Sequence, residues 1–202
     1  MAQDSTQIIA TRDYIPYYVA YSSTNALPAD TVIWGVAWGT PSGQSSPWIN
    51  PGYTNGGLHF ATEVARTDIR VDQELDPVLR PATSRTASMN FNLAQFTPAL
   101  VAVATGQGSV SSVAATTAAR GHDDYTLAST VVDNFYAIAF DIRAQDQEAI
   151  RFIGWRGQTT GSPTFDITPE AALLTPMNLT LFPDSSTSPS RIATIRDISP
   201  HS

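Results

Sequence analysis

The side chains able to do acid–base, nucleophilic or metal chemistry are few in this sequence. Histidine occurs three times, at His59, His122 and His201, and cysteine is absent. Without a thiol there is no cysteine nucleophile, no thiolate metal site and no disulfide framework. "GHDD", Gly121 to Asp124, sets an imidazole beside two carboxylates, a metal-ligand set only if a second histidine comes near. That spacing is common in ordinary loops. "GQSSP" and "TGSPT" do not supply the G-x-S-x-G turn that presents a nucleophilic serine. "GQGSVS" lacks the third glycine of a dinucleotide fingerprint and follows a helical pattern rather than a strand. Carboxylate pairs for glycoside chemistry can be drawn from almost any acidic β protein. Nothing here makes a positive case for an enzyme, and we expect no catalytic residue, metal or cofactor.

Composition narrows the classes further. Charged residues are 14% of the 202-residue chain, against about 25% in an average soluble domain. All eleven basic residues are arginine, a bias that a GC-rich coding genome produces with no functional meaning. The net charge of −7 argues against an electrostatic grip on nucleic acid. With 42% hydrophobic residues and many Ser and Thr, the surface is largely neutral. Secreted Ser/Thr-rich β domains look like this, and so do subunits buried against copies of themselves. The opening "MAQDSTQIIATRD" carries an early Asp and no apolar core, and no run approaches the roughly 18 apolar residues of a membrane span. The expectation is a soluble protein that stays in the cytoplasm where it is made.

The elements that would carry any function are mostly strands. "YIPYYVAYSS" (Tyr14 to Ser23) and "TVIWGVAWG" (Thr31 to Gly39) are aromatic and β-branched, and Pro16 means that the first either lies at a sheet edge or begins at Tyr17. In "TSRTASMNFNLAQFTPALVAVATG", Met89, Phe91 and Leu93 alternate with Ser88, Asn90 and Asn92, a half-buried strand with an uncharged polar face. Thr97 then reads as a helix N-cap, Pro98 as the first helical residue and Gly106 as the stop. "VDNFYAIAFDIR" and "AIRFIGW" make a hairpin around "AQDQE", and "MNLTLF" (Met177 to Phe182) is a final strand. Gly106 to Asp124 reads as loop, and "TPEAALL" (Thr168 to Leu174) as a second helix. The chain divides into an arm at 1–13, one β-rich domain at 14–182 and an arm at 183–202.

Several exposed-looking apolar residues lie outside that pattern. The long Pro/Gly/Ser-rich loop at 40–57 displays Trp48, Ile49 and Tyr53. They either fold back as a small satellite core or anchor an interface between subunits. Ile192, Ile195 and Ile198 punctuate the C-terminal arm and are further candidates for subunit contacts. Ser88, Asn90 and Asn92 face something other than bulk water, where charge is usual.

Taken in order, "YIPYYVAYSSTNALPAD", "GYTNGGLHF…DIRVDQELDPVLRP" and "SRTASMNFNLAQFTPALVAVATGQG" resemble the siphophage major tail proteins. The resemblance covers the order of elements over most of residues 14–182, in hydrophobic-pattern motifs rather than catalytic words. It implies a mainly β domain, an antiparallel sandwich or barrel with one short flanking helix. It implies subunits that form rings, commonly hexameric, stacked as the tube of a long non-contractile virion tail. The partners so implied are the chain itself, other tail proteins, and DNA that passes through the lumen without specific binding. An acidic or neutral wall suits that conduit, because a basic one would hold phosphates. Ser88, Asn90 and Asn92 would then face the lumen or an adjoining subunit. A tail-terminator or decoration subunit is a related reading. The rival from another class is a secreted carbohydrate-binding β-sandwich, with Trp34, Trp38, Trp48 and Trp155 as sugar-stacking candidates.

Overall fold

A computed structural model describes residues 11–23, 48–74, 76–127, 129, 132–144, 149–160, 163–168 and 172–197. In chain order its elements are β1 (Thr11–Ala20), β2 (Thr54–Arg66), β3 (Ala82–Leu93), α1 (Pro98–Thr105), β4 (Ser109–Val113), β5 (His122–Thr126), β6 (Phe135–Ala144), β7 (Ala149–Thr159), β8 (Thr175–Leu181) and β9 (Ala193–Asp197). The protein is mainly β, as expected, with antiparallel sheets in a sandwich-like arrangement and one short helix among the described residues.

The main sheet runs β1-β6-β7-β8-β3-β2, with β9 also paired to β7. β7 joins β8 over only Gly157 to Thr159, which leaves the two ends of the sheet free to fold over one another. Between them lies the principal core. β3 gives Met89, Phe91 and Leu93, β8 gives Met177, Leu179 and Leu181, and β6 and β7 answer with Ile138, Phe140 and Phe152. Phe91 meets Phe140 edge-on at 4.9 Å between ring centroids, the favoured aromatic geometry. Gly154 marks the closest approach of the layers. A Cβ there would lie 2.6 Å from Met89 Sδ and 3.0 Å from a Leu181 methyl, so a larger residue would force those side chains to shift.

α1 closes one end of this core with Leu100, Val103 and Ala104. Its sequence signals are realised atom by atom. Thr97 Oγ1 accepts from the Leu100 amide at 3.3 Å, and Gly106 takes the left-handed conformation (φ 65°) that ends the helix. Pro16 lies on an edge strand, the first of its two alternatives. Tyr18 turns its amide and carbonyl outward to Ile49, so Pro16, two residues earlier on that same edge, removes no bond to β6.

Other expectations need correction. β1 begins at Thr11, inside the segment read as an N-terminal arm. Gly106 to Asp124 is not wholly loop, because β4 and β5 pair as a separate two-stranded sheet. Residues 183–197 are not an arm: Asp184 bridges to Arg191, and β9 pairs with β7 from Ile150↔Asp197 to Gly154↔Ala193. Thr168 and residues 172–174 are not helical. The expected strand Thr31–Gly39 and Ile198 lie outside the described residues.

Candidate assembly interface

β2 and β3 pair far beyond the sandwich. The register continues from His59↔Asn90 out to Arg66↔Ala82, and an Ile69↔Leu79 bridge extends it. Every described residue from His59 to Thr86 is exposed, except the half-buried Pro77. Both faces of this hairpin are therefore bare. A lone two-stranded ribbon is marginal in water, yet this one displays Val64, Ile69, Val71, Val78 and Leu79. Asp68 and Arg80 tie its two strands together near the tip. The projection is long and uncovered, and it sets these aliphatic side chains between charged ones such as Glu63, Arg66, Asp72 and Asp76.

The uncharged face of β3 belongs to a wider surface. Across the register, His59, Asn90 and Asn178 form one row, and Ala61, Ser88 and Thr180 the next. Asn55, Asn92 and Pro176 form a third. None of these residues carries a carboxylate or guanidinium. Ser88, Asn90 and Asn92 are half-buried on the side of the strand away from the core. The contribution of β8 was legible in the alternation of "MNLTLF"; that of β2 was not, because its register to β3 is a long-range fact.

The expected contact residues separate. Trp48 is only 5% exposed and packs with Tyr17, Val19, Ala137, Ala139, Ile153 and Trp155 in a second core on the far side of β6 and β7. It is a core residue and not an interface anchor, the satellite-core alternative. Backbone bonds of 2.8 and 2.9 Å between Ile49 and Tyr18 hold it there. Ile49 and Tyr53 remain exposed, Tyr53 at 80%. Ile192 packs half-buried against the principal core, whereas Ile195 on β9 is 65% exposed.

Trp155 is as buried as Trp48. Its ring is covered by the Arg191 guanidinium, 3.2 Å from the centroid, and its Nε1 donates to Thr194 Oγ1 at 2.8 Å. Neither tryptophan offers an open face for a sugar, and Trp34 and Trp38 lie outside the described residues. His122 pairs with Asp124 at 3.5 Å on the exposed β5. Among the described residues no three His, Asp or Glu side chains come together as a metal site.

Arg191 also fastens the C-terminal segment, through Asp184 at 3.1 Å. Asp184 accepts from Tyr21 Oη at 2.9 Å and from the Ser186 amide at 3.0 Å. Burial alone would raise its pKa, but the hydrogen bonds from Ser186, Tyr21 and Arg191 outweigh burial and hold it at about 2, below the ordinary 3.8. A depressed carboxylate stabilises the fold above its unfolded value and loses that contribution as pH falls through its folded one. We therefore expect about 2 kcal/mol to disappear between pH 4 and pH 2. Thermal unfolding across that window checks it. Asp184→Asn should flatten the acid limb, and an unchanged acid limb in that variant would refute the assignment.

Compared with known proteins, the chain matches no family model and no curated sequence.

Proposed function

We propose that this chain is a structural subunit of the siphophage major-tail kind, self-assembling into stacked rings that form a hollow conduit for DNA. The β2–β3 hairpin carries the proposal. A two-stranded ribbon exposed on both faces, with aliphatic side chains set between charged ones, is marginal alone and gains by packing against another subunit. The three-strand neutral surface supports the same reading, since a wall without basic residues does not retain phosphates by counterion release. The carbohydrate-binding alternative loses the tryptophans Trp48 and Trp155 to the core and to Arg191.

Electron microscopy and sedimentation of concentrated protein test the proposal. Rings or tubes are expected; a monomer at every concentration argues against it. Asn90→Arg with Asn92→Arg should leave the monomer folded, because neither side chain fills the core. In particles, it should block tube formation if this face lies between subunits, or slow DNA passage in a salt-dependent way if it lines the lumen. Particles that assemble and eject normally at low salt would remove both roles.

A further inference from the structure

We propose that the cleft at the root of the β2–β3 hairpin receives the hairpin tip of a second copy, joining copies head to tail. The inference rests on the self-assembly reading above and names the contact that would serve it.

The cleft measures about 330 Å³ and lies between Phe60, Thr62, Arg85 and Ala87 of the hairpin and Ile192 and Ala193 of the C-terminal segment. It opens where the core-facing row of β2 leaves the sandwich. Phe60 still packs against Phe152, at 4.7 Å between ring centroids, but Thr62, the next residue on that face, is exposed. The edge of the core is thus left as a notch of mixed lining, with Phe60, Ala87, Ile192 and Ala193 beside Thr62, Ser190 and two arginines. Arg85 makes no ion pair among the described residues, while Arg191 at the far wall is matched by Asp184.

The tip has the complementary chemistry. Val78 and Leu79 are 57% and 58% exposed. Around them Asp72, Glu74 and Asp76 outnumber Arg70, Asp68 being already paired with Arg80. An acidic tip with an aliphatic point fits a notch that offers Phe60, Ala87 and Ile192 beside an unmatched arginine. The tip cannot reach its own cleft. From Thr62 to Val71 the strand and its extension span roughly 30 Å at about 3.3 Å per residue. Because tip and cleft are different surfaces, the contact is heterologous and propagates into a ring or a filament, not a two-fold dimer.

The absence of cysteine makes a direct test possible. Full-length Val78→Cys and Thr62→Cys chains, both changed at exposed positions and checked for folding by circular dichroism, are mixed under mild oxidation. Disulfide-linked heterodimers should exceed either homodimer at least tenfold, and a chain carrying both changes should give a ladder of covalent oligomers. Val113→Cys on β4, also exposed, should not link to Val78→Cys. In the cysteine-free chain, Arg85→Glu should raise the concentration needed for assembly at least tenfold, and adding Asp76→Arg should recover part of that loss. Preferential Val78–Val78 links, or equal linking to Val113, would overturn the proposal. Tubes that form without a Thr62–Val78 link would overturn this contact and leave self-assembly standing. A failure to assemble under any condition would remove both.

Discussion

Replacing Val78 and Leu79 together by aspartate should leave a folded monomer that no longer forms tubes at any accessible concentration. Both side chains are more than half exposed in the single chain and belong to neither core cluster, so their loss removes no core packing from the subunit. Surface changes of this kind usually alter stability by no more than about 0.5 kcal/mol. In an assembly the balance is different. Burying each aliphatic side chain contributes roughly 1.5–3 kcal/mol, and an aspartate in its place loses that contact and must also be desolvated. Two such changes per contact, repeated around a ring, should raise the critical concentration a hundredfold or more. Sedimentation and thermal melting of the same sample separate the two effects. Tubes at wild-type concentration, or a melt lowered by several degrees, would refute the role assigned to the hairpin.

The hairpin also shows where sequence reasoning reaches its limit. Strand alternation is visible only when one face is buried. Between Ser88 and Leu93 it is plain, because Met89, Phe91 and Leu93 enter the core while their neighbours do not. The same strand from Ala82 to Thr86 has both faces in solvent, and its residues carry no period. β4 and β5 are hidden for the same reason. β9 is too short and too charged to be recognised alone, and exists because β7 offers it an edge. α1 was legible in full, since a threonine cap, a proline at the first turn and a terminal glycine act within a few residues of one another. Trp48 marks the opposite case. Whether a tryptophan in a long loop reaches outward or folds home depends on Tyr17, Val19 and Trp155, which meet it only through the fold.

The largest effect on the subunit itself should come from Asp141→Ala. Asp141 and Arg151 stand opposite one another in the β6–β7 register, on the face shared by Ala139 and Ile153. Arg151 Nε donates to Asp141 Oδ1 at 2.8 Å and Nη2 to Oδ2 at 3.4 Å, with side-chain exposures of 1% and 7%. This fork-to-carboxylate geometry lets both charges survive burial. Removing the carboxylate alone leaves a guanidinium in the interior, at a cost of about 3–5 kcal/mol. That is a large share of the roughly 5–15 kcal/mol that holds a domain together. β6 and β7 contribute to both cores, so the base on which the hairpin stands should weaken with them. The expected result is a urea midpoint lowered far enough to unfold part of the population at 37 °C. Asp141→Leu combined with Arg151→Met distinguishes the cause. If the penalty comes from breaking the ion pair, the double change should recover most of the stability, because two apolar side chains can replace a buried pair at little cost. Should the double variant be as unstable as Asp141→Ala, the pair contributes through bonds that an apolar core cannot replace. A loss below 1 kcal/mol in Asp141→Ala would mean that other partners of Arg151 already carry its charge.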